Sequence, residues 1–196
     1  MEDITAVSVI GLGAVGFGVA RNLRNSGFEV RACEPDETTA RRWTDETSEN
    51  IWPAREAVIG TTVTCLCVFD AAQVHEVLFD GGNLALPFAP GHIVVQHTTT
   101  SPATTAEFAH RLAGHDVTLI DAPVTGGKAG ADEGTLTTMC AGPDAALDAL
   151  APVFAATSAA VYRCGQSAGD ATRVKMVNQL LTGVHLAAAA EAVALT

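Results

Sequence analysis

A strand, a glycine turn and a helix follow one another within the first 25 residues, and this succession restricts the fold more than any other feature of the chain. Residues 6–10, AVSVI, form a short apolar run. GLGAVG follows at once, and an apolar-periodic stretch then continues through Leu23, with Gly27 as a helix stop. Gly11, Gly13 and Gly16 make G-x-G-x-x-G. The chemistry needs the first glycine for a tight turn, the second for contact between backbone and pyrophosphate, and the third for close helix packing; the helix N-terminus then faces the phosphates. Alone the pattern is weak, but the strand-turn-helix position is the context it requires. Gly11, Leu12, Gly13, Ala14, Val15 and Gly16 are therefore expected to hold a dinucleotide. An acidic residue is expected ~20 residues on, to accept the ribose hydroxyls. Glu34 stands 23 residues after Gly11. A carboxylate there repels a 2′-phosphate, so NAD is expected rather than NADP.

The remaining chain alternates in the same way. FEVRAC reads as a strand, DETTARRW as a polar helix, TVTCLCVF as a buried strand, and AQVHEVLF has helical spacing. HIVVQ is a further strand, after which Ser101 and Pro102 match an N-cap and first-turn proline for ATTAEFAHRL. DVTLIDAP and TLTTMCAG read as strands, PDAALDALAPVF as a helix and AAVYRC as a last strand. Several strands are apolar on both faces, which predicts an α/β fold: a Rossmann-type, doubly wound, mostly parallel sheet. GQSAG at 165–169 is the expected boundary. Residues 1–165 form the nucleotide-binding domain in this reading, and 166–196 one long C-terminal helix.

Composition narrows the classes further. With 196 residues, 48% hydrophobic and 17% charged, the chain is an ordinary globular protein. The formal net charge of −11 argues against a nucleic-acid partner. The apolar run near the start is too short for a signal peptide, and none is long enough to span a bilayer. The five cysteines are scattered and lack a second ligand pair at matching spacing, so buried thiols in a reducing cytoplasm are expected, and no metal.

Two later stretches carry polar groups with a purpose. DAPVTGGKAGADEGTL sits at the carboxyl end of a strand, where Thr125, Gly126 and Gly127 offer a hydroxyl and open backbone amides to a carboxylate. In ATRVKMVNQLLTGVHLAAAA, at about 100° per residue, Asn178, Gln179, Thr182 and His185 fall within about 80° of Lys175. Valine, leucine and alanine fill the rest, which predicts a mostly buried helix with one narrow polar stripe. A lone amine there can take the proton of a substrate hydroxyl as hydride leaves, with partial desolvation lowering its pKa. Asn178, one turn on, can hold substrate and Lys175 in register. His185 is expected to be a packed core histidine.

Together, GLGAVG, DAPVTGG and GQSAGDATRVKMVN resemble the β-hydroxyacid dehydrogenase family, relatives of 3-hydroxyisobutyrate dehydrogenase, in order and spacing along essentially the whole chain. The later run QLLTGVHLAAAAEAVAL looks most like the L-threonate dehydrogenase branch. The resemblance implies NAD(P)-dependent oxidation of a small hydroxy acid at its 3- or 2-hydroxyl. Lys175 would be the acid/base, Asn178 a substrate-orienting residue, and Thr125, Gly126 and Gly127 carboxylate binders. By the same resemblance Val68 and Phe69 lie near the adenosine and the segment HTTTSP, residues 97–102, near the nicotinamide, with Thr98 its cofactor candidate. Family members continue into an all-helical domain that caps the site and builds the dimer; here the chain stops while the helical signal is still running. That domain is expected to be absent, and the exposed apolar helix to drive assembly into a homodimer or larger homo-oligomer. An imine reductase of the same architecture and a non-catalytic NAD-binding remnant are the alternatives; the imine reductases usually lack the lysine.

Overall fold

The strand and helix signals resolve into one eight-stranded sheet in the computed structural model of the chain, which describes residues 4–80 and 83–195. The first half runs β1 (Ala6–Ile10), α1 (Gly16–Asn25), β2 (Glu29–Cys33), α2 (Glu37–Thr47), α3 (Ala54–Ala57), β3 (Val63–Leu66), α4 (Ala71–Leu78), the short strands β4 (Phe79–Asp80) and β5 (Asn83–Leu84), then β6 (Ile93–Gln96) and α5 (Pro102–Ala113). The second half runs β7 (Thr118–Asp121), β8 (Val124–Thr125), α6 (Gly127–Glu133), β9 (Leu136–Ala141), α7 (Asp144–Ala149), α8 (Ala151–Thr157), β10 (Ser158–Gly165) and α9 (Asp170–Ala194). The ranges 1–165 and 166–196 also include residues 1–3, 81–82 and 196, which lie outside the described residues.

Strand order is β10-β9-β7-β6-β3-β1-β2, with β8 beside β9. The five strands from β7 to β2 are mutually parallel; β9 runs antiparallel to β7 and β8, and β10 parallel to β9. Period-two alternation splits the core. β6 sends Ile93 and Val95 into a cluster with Phe17, Leu23 and Phe154, and Val94 into another with Leu66, Leu78 and Phe108. Both faces of the sheet are thus covered, as the doubly apolar strands require.

Local signals set the helix starts. Asp36 accepts from the Thr39 amide at the head of α2 (2.8 Å), and Ser101 from that of Thr104 at the head of α5 (3.1 Å), with Pro102 in its first turn. PDAALDALAPVF divides at Leu150 into two helices, because Pro152 lacks the N–H that a continuous helix needs. The loop expected after Thr125 contains α6. The helix α9 differs most from expectation. Only Ala171, Thr172 and Lys175 are buried along it, while Val177, Leu180, Val184 and His185 are exposed. Its first turns pack on β9, β10, β7 and α5, and the rest projects beyond them. Among the described residues no helix is long and apolar enough to cross a membrane.

A polar cluster lies within the sheet. Ser8 Oγ and Thr64 Oγ1 are 2.6 Å apart, Thr61 reaches Ser8, and Thr64 Oγ1 lies 2.8 Å from His92 Nε2. Burial pulls the His92 pKa down to about 4 from 6.5, so the ring is neutral in the fold. As pH falls from about 6.5 towards 4, the unfolded chain takes up a proton that the folded chain refuses. Unfolding free energy should drop by up to ~1.4 kcal/mol per pH unit in that window and level off below it. His97, also pushed down by burial, adds in the same direction. Urea titrations at stepped pH should give His92→Gln a shallower acid limb; an unchanged slope would place the loss elsewhere.

Candidate functional site

The strand order reverses at β1, which pairs with β2 on one side and β3 on the other. Over the carboxyl ends of these strands opens a cavity of about 1170 Å³. Such a switch point is where open α/β sheets bind ligands. Each glycine of the turn has a separate reason to be glycine. Gly11 has φ +89°, and a Cβ there would lie 2.8 Å from the Cys67 carbonyl oxygen. A Cβ on Gly16 would strike the Gly11 carbonyl oxygen at 1.9 Å. Around Gly13 a Cβ would meet nothing within 4 Å, so at Gly13 the missing side chain leaves room for a ligand to reach the backbone. Gly11, Gly13, Ala14 and Val15 line the cavity at the head of α1. Leu12, 1% exposed, and Gly16 face the core instead of the cavity wall. A turn closed by glycine with one open position fits a pyrophosphate.

Glu34 lines the cavity just past β2. Its Oε2 accepts from the Leu12 amide (2.7 Å) and its Oε1 from the Asp36 amide (2.9 Å), so the carboxylate is held in place by backbone. Val68 and Phe69 follow β3 onto the same wall; Phe69 is 89% exposed, its amide donating to Gln73 Oε1 (2.9 Å). Ile51, Trp52, Pro53 and Arg55 complete this side, and sequence reasoning missed them. The Trp52 amide donates to the Ala32 carbonyl (2.8 Å), which seats the segment on the outer edge of β2, and the Arg31 guanidinium stands 5.0 Å from the Trp52 ring centre. The signal was present as an isolated IWP between polar stretches.

Thr98, beyond β6, lines the cavity and donates through Oγ1 to the Val68 carbonyl (2.7 Å). Val124 and Lys175 also line it. Lys175 reaches this wall because of how α9 begins. The Asp121 carboxylate, buried at the end of β7, accepts from the amides of Gly169 (2.8 Å) and Thr172 (2.8 Å) and from Thr172 Oγ1 (2.7 Å). Burial raises the Asp121 pKa and these hydrogen bonds oppose the rise. Lys175 follows within one turn, 6% exposed and without an acidic partner among the described residues. Burial holds its pKa below the ordinary lysine value.

Thr125, Gly126 and Gly127 do not line the cavity. Thr125 ends β8, Gly126 caps α6 with φ +120°, and Gly127 opens that helix with φ +58°. Asn178 is half-buried one turn beyond Lys175, and its Oδ1 is buried with no partner among the described residues. Among those residues no cluster of His, Cys, Asp or Glu could hold a metal.

A nucleotide cradle at a switch point defines a dinucleotide-binding protein. Residues 6–165 match the NAD binding domain of 6-phosphogluconate dehydrogenase, and the chain belongs to that family. It is 40% identical over 191 residues to an L-threonate dehydrogenase of Cupriavidus necator, covering 96% of this chain and 64% of that protein. A second L-threonate dehydrogenase, from Escherichia coli, is 36% identical over 193 residues, 96% of this chain and 63% of the relative. A crystal structure of 3-hydroxyisobutyrate dehydrogenase from Salmonella typhimurium superposes with a TM-score of 0.88 at 36% identity, over 97% of this chain and 66% of that one. The chain thus spans just under two thirds of the length of these relatives.

Gly169 tests the anchor. Its φ is +100°, and a Cβ would lie 2.7 Å from the Pro102 carbonyl oxygen. Gly169→Ala should cost ~1–3 kcal/mol in chemical denaturation and loosen α9, read as faster amide exchange near Lys175. Unchanged exchange there would mean that the Asp121 contacts do not hold the helix.

Proposed function

We propose that the chain supplies the cofactor-binding part and the proton-transferring lysine of an NAD-dependent dehydrogenase acting on a small hydroxy acid, with L-threonate the leading candidate. The observation that carries this reading is Lys175, a buried amine on the wall of the same cavity as the glycine turn and Glu34. When bound, the nicotinamide ring supplies the acceptor for the hydride. The chain supplies the rest. Lys175, whose pKa desolvation lowers, takes the hydroxyl proton in its neutral form as the carbon–hydrogen bond breaks, and gives it back in the reverse direction. Asn178 orients the substrate beside it. The backbone amides and hydroxyl of Thr125, Gly126 and Gly127 receive the carboxylate. Gly11, Gly13, Ala14 and Val15 take the pyrophosphate, with Leu12 and Gly16 supporting the turn; Val68 and Phe69 lie along the adenosine and Thr98 beside the nicotinamide. Glu34 takes the ribose hydroxyls and disfavours a 2′-phosphate. The names carried by the two L-threonate dehydrogenase relatives support the substrate class.

Lys175→Ala should lower turnover of L-threonate with NAD by ~10²–10⁴ while leaving NAD affinity unchanged. The oxidation rate should rise with pH through the Lys175 pKa, which lies below 10.5, because the amine must be neutral to accept a proton. Turnover that barely moves would remove Lys175 from the chemistry. NAD binding without turnover of any hydroxy acid would favour a nucleotide-binding chain without catalysis.

Isothermal titration should give tighter binding of NADH than NADPH; the reverse order would overturn the role of Glu34. The exposed Val177, Leu180, Val184 and Leu186 of α9 support self-association. Light scattering should detect a dimer or larger species, and a strictly monomeric one would count against it.

A further inference from the structure

His97 lines the same cavity as Thr98 and Lys175, yet it belongs to neither the glycine turn nor the lysine helix. It follows the last residue of β6, and its amide donates to the Leu66 carbonyl of β3 (3.0 Å). The residue is 7% exposed, and its Nδ1 lies 2.8 Å from the carbonyl oxygen of Ala122, just beyond β7. A carbonyl can only accept, so Nδ1 carries the hydrogen of that pair. Burial lowers the ring's pKa from 6.5, which keeps it neutral at pH 7. A neutral ring protonated at Nδ1 has an acceptor lone pair at Nε2. Among the described residues no group donates to Nε2.

What the ring has left to offer the cavity is therefore an acceptor, and any ligand group meeting it must bring an N–H or O–H. The neighbouring hydroxyl of Thr98 is already committed as a donor to Val68. Taking the cavity as a nicotinamide dinucleotide site, as proposed above, the pyridine carboxamide brings two N–H donors and no other strong donor sits on that ring. We propose that His97 is a binding residue for the nicotinamide, its Nε2 accepting a hydrogen bond from the carboxamide NH₂. Held through its carboxamide, the ring cannot turn over about its glycosidic bond, so His97 selects which face is presented for hydride transfer.

Three probes test this by equilibrium binding without turnover. They are NAD, nicotinic acid adenine dinucleotide (a carboxylate in place of the carboxamide) and ADP-ribose (no pyridine ring). The wild-type protein should prefer NAD to its acid analogue. His97→Leu should weaken NAD by about three- to tenfold, the worth of one hydrogen bond, and erase that preference. ADP-ribose should bind the variant as it binds the wild type, which also reports an intact fold. A preference that survives His97→Leu overturns the inference, as does an equal loss for NAD and ADP-ribose, since His97 would then only brace the loop. Wild-type protein that binds ADP-ribose but does not distinguish the two dinucleotides also sinks the inference while the dinucleotide reading stands. Wild-type protein that binds none of the three sinks both.

Discussion

Three hydrogen bonds converge on the buried carboxylate of Asp121, one from the amide of Gly169 that caps α9 and two from the amide and hydroxyl of Thr172 in its first turn, and through them the sheet dictates where the last helix starts and which way it points. The negative charge meets the positive end of a helix, where it is best tolerated. Desolvation works against that charge, and the amides and hydroxyl that face it offset the cost. Gly169 makes the approach possible, because any side chain there would collide with Pro102. Lys175 inherits its position from this junction. Without it the helix would have no fixed register against the cavity, and an amine on a loosely attached helix would regain water and its ordinary basicity.

The junction also continues into the loops around the cavity. Thr172 approaches Thr105 (3.5 Å), Thr105 pairs with Thr100 (2.6 Å), and the Gln96 amide reaches the Thr98 carbonyl (3.1 Å). The strand ends that carry His97 and Thr98 are thereby tied to the helix that carries Lys175. A second tie crosses from His97 to Ala122, at the base of the glycine loop. Groups far apart in sequence are held at one rim by side chains of ordinary size.

Much of this was legible in the sequence where local chemistry decides structure. Ser101 with Pro102 acts within a few residues of itself, and the glycine turn with Glu34 belongs to one strand-turn-helix-strand unit whose pattern is contiguous in the chain, so there pattern and geometry agree. Elements defined by distant partners were not legible. The segment around Trp52 is placed by an edge of β2, and α6 starts on Gly126 and Gly127 at positive φ, within what reads as a plain loop. Periodicity identified the stripe containing Lys175 but inverted the burial of α9, because a helical wheel orders side chains around an axis and says nothing of which flank has a neighbour. Here the neighbours reach only its first turns, and Val177 and Leu180 stay exposed while the lysine is covered. The resemblance marked the segment that His97 opens but singled out Thr98, because the orientation of the His97 ring depends on Ala122, a carbonyl 25 residues away.

Glu34 is gripped at both oxygens by the Leu12 and Asp36 amides. A side chain so tethered has few rotamers to surrender when a nucleotide arrives, and folding has already restricted them. Under the role proposed for Glu34, recognition of a ribose would proceed by docking onto a rigid surface, with little entropic penalty on the protein's side. Under that role, the same rigidity would make the end of β2 intolerant of a bulkier sugar substituent, since the carboxylate cannot swing aside without stranding two amides.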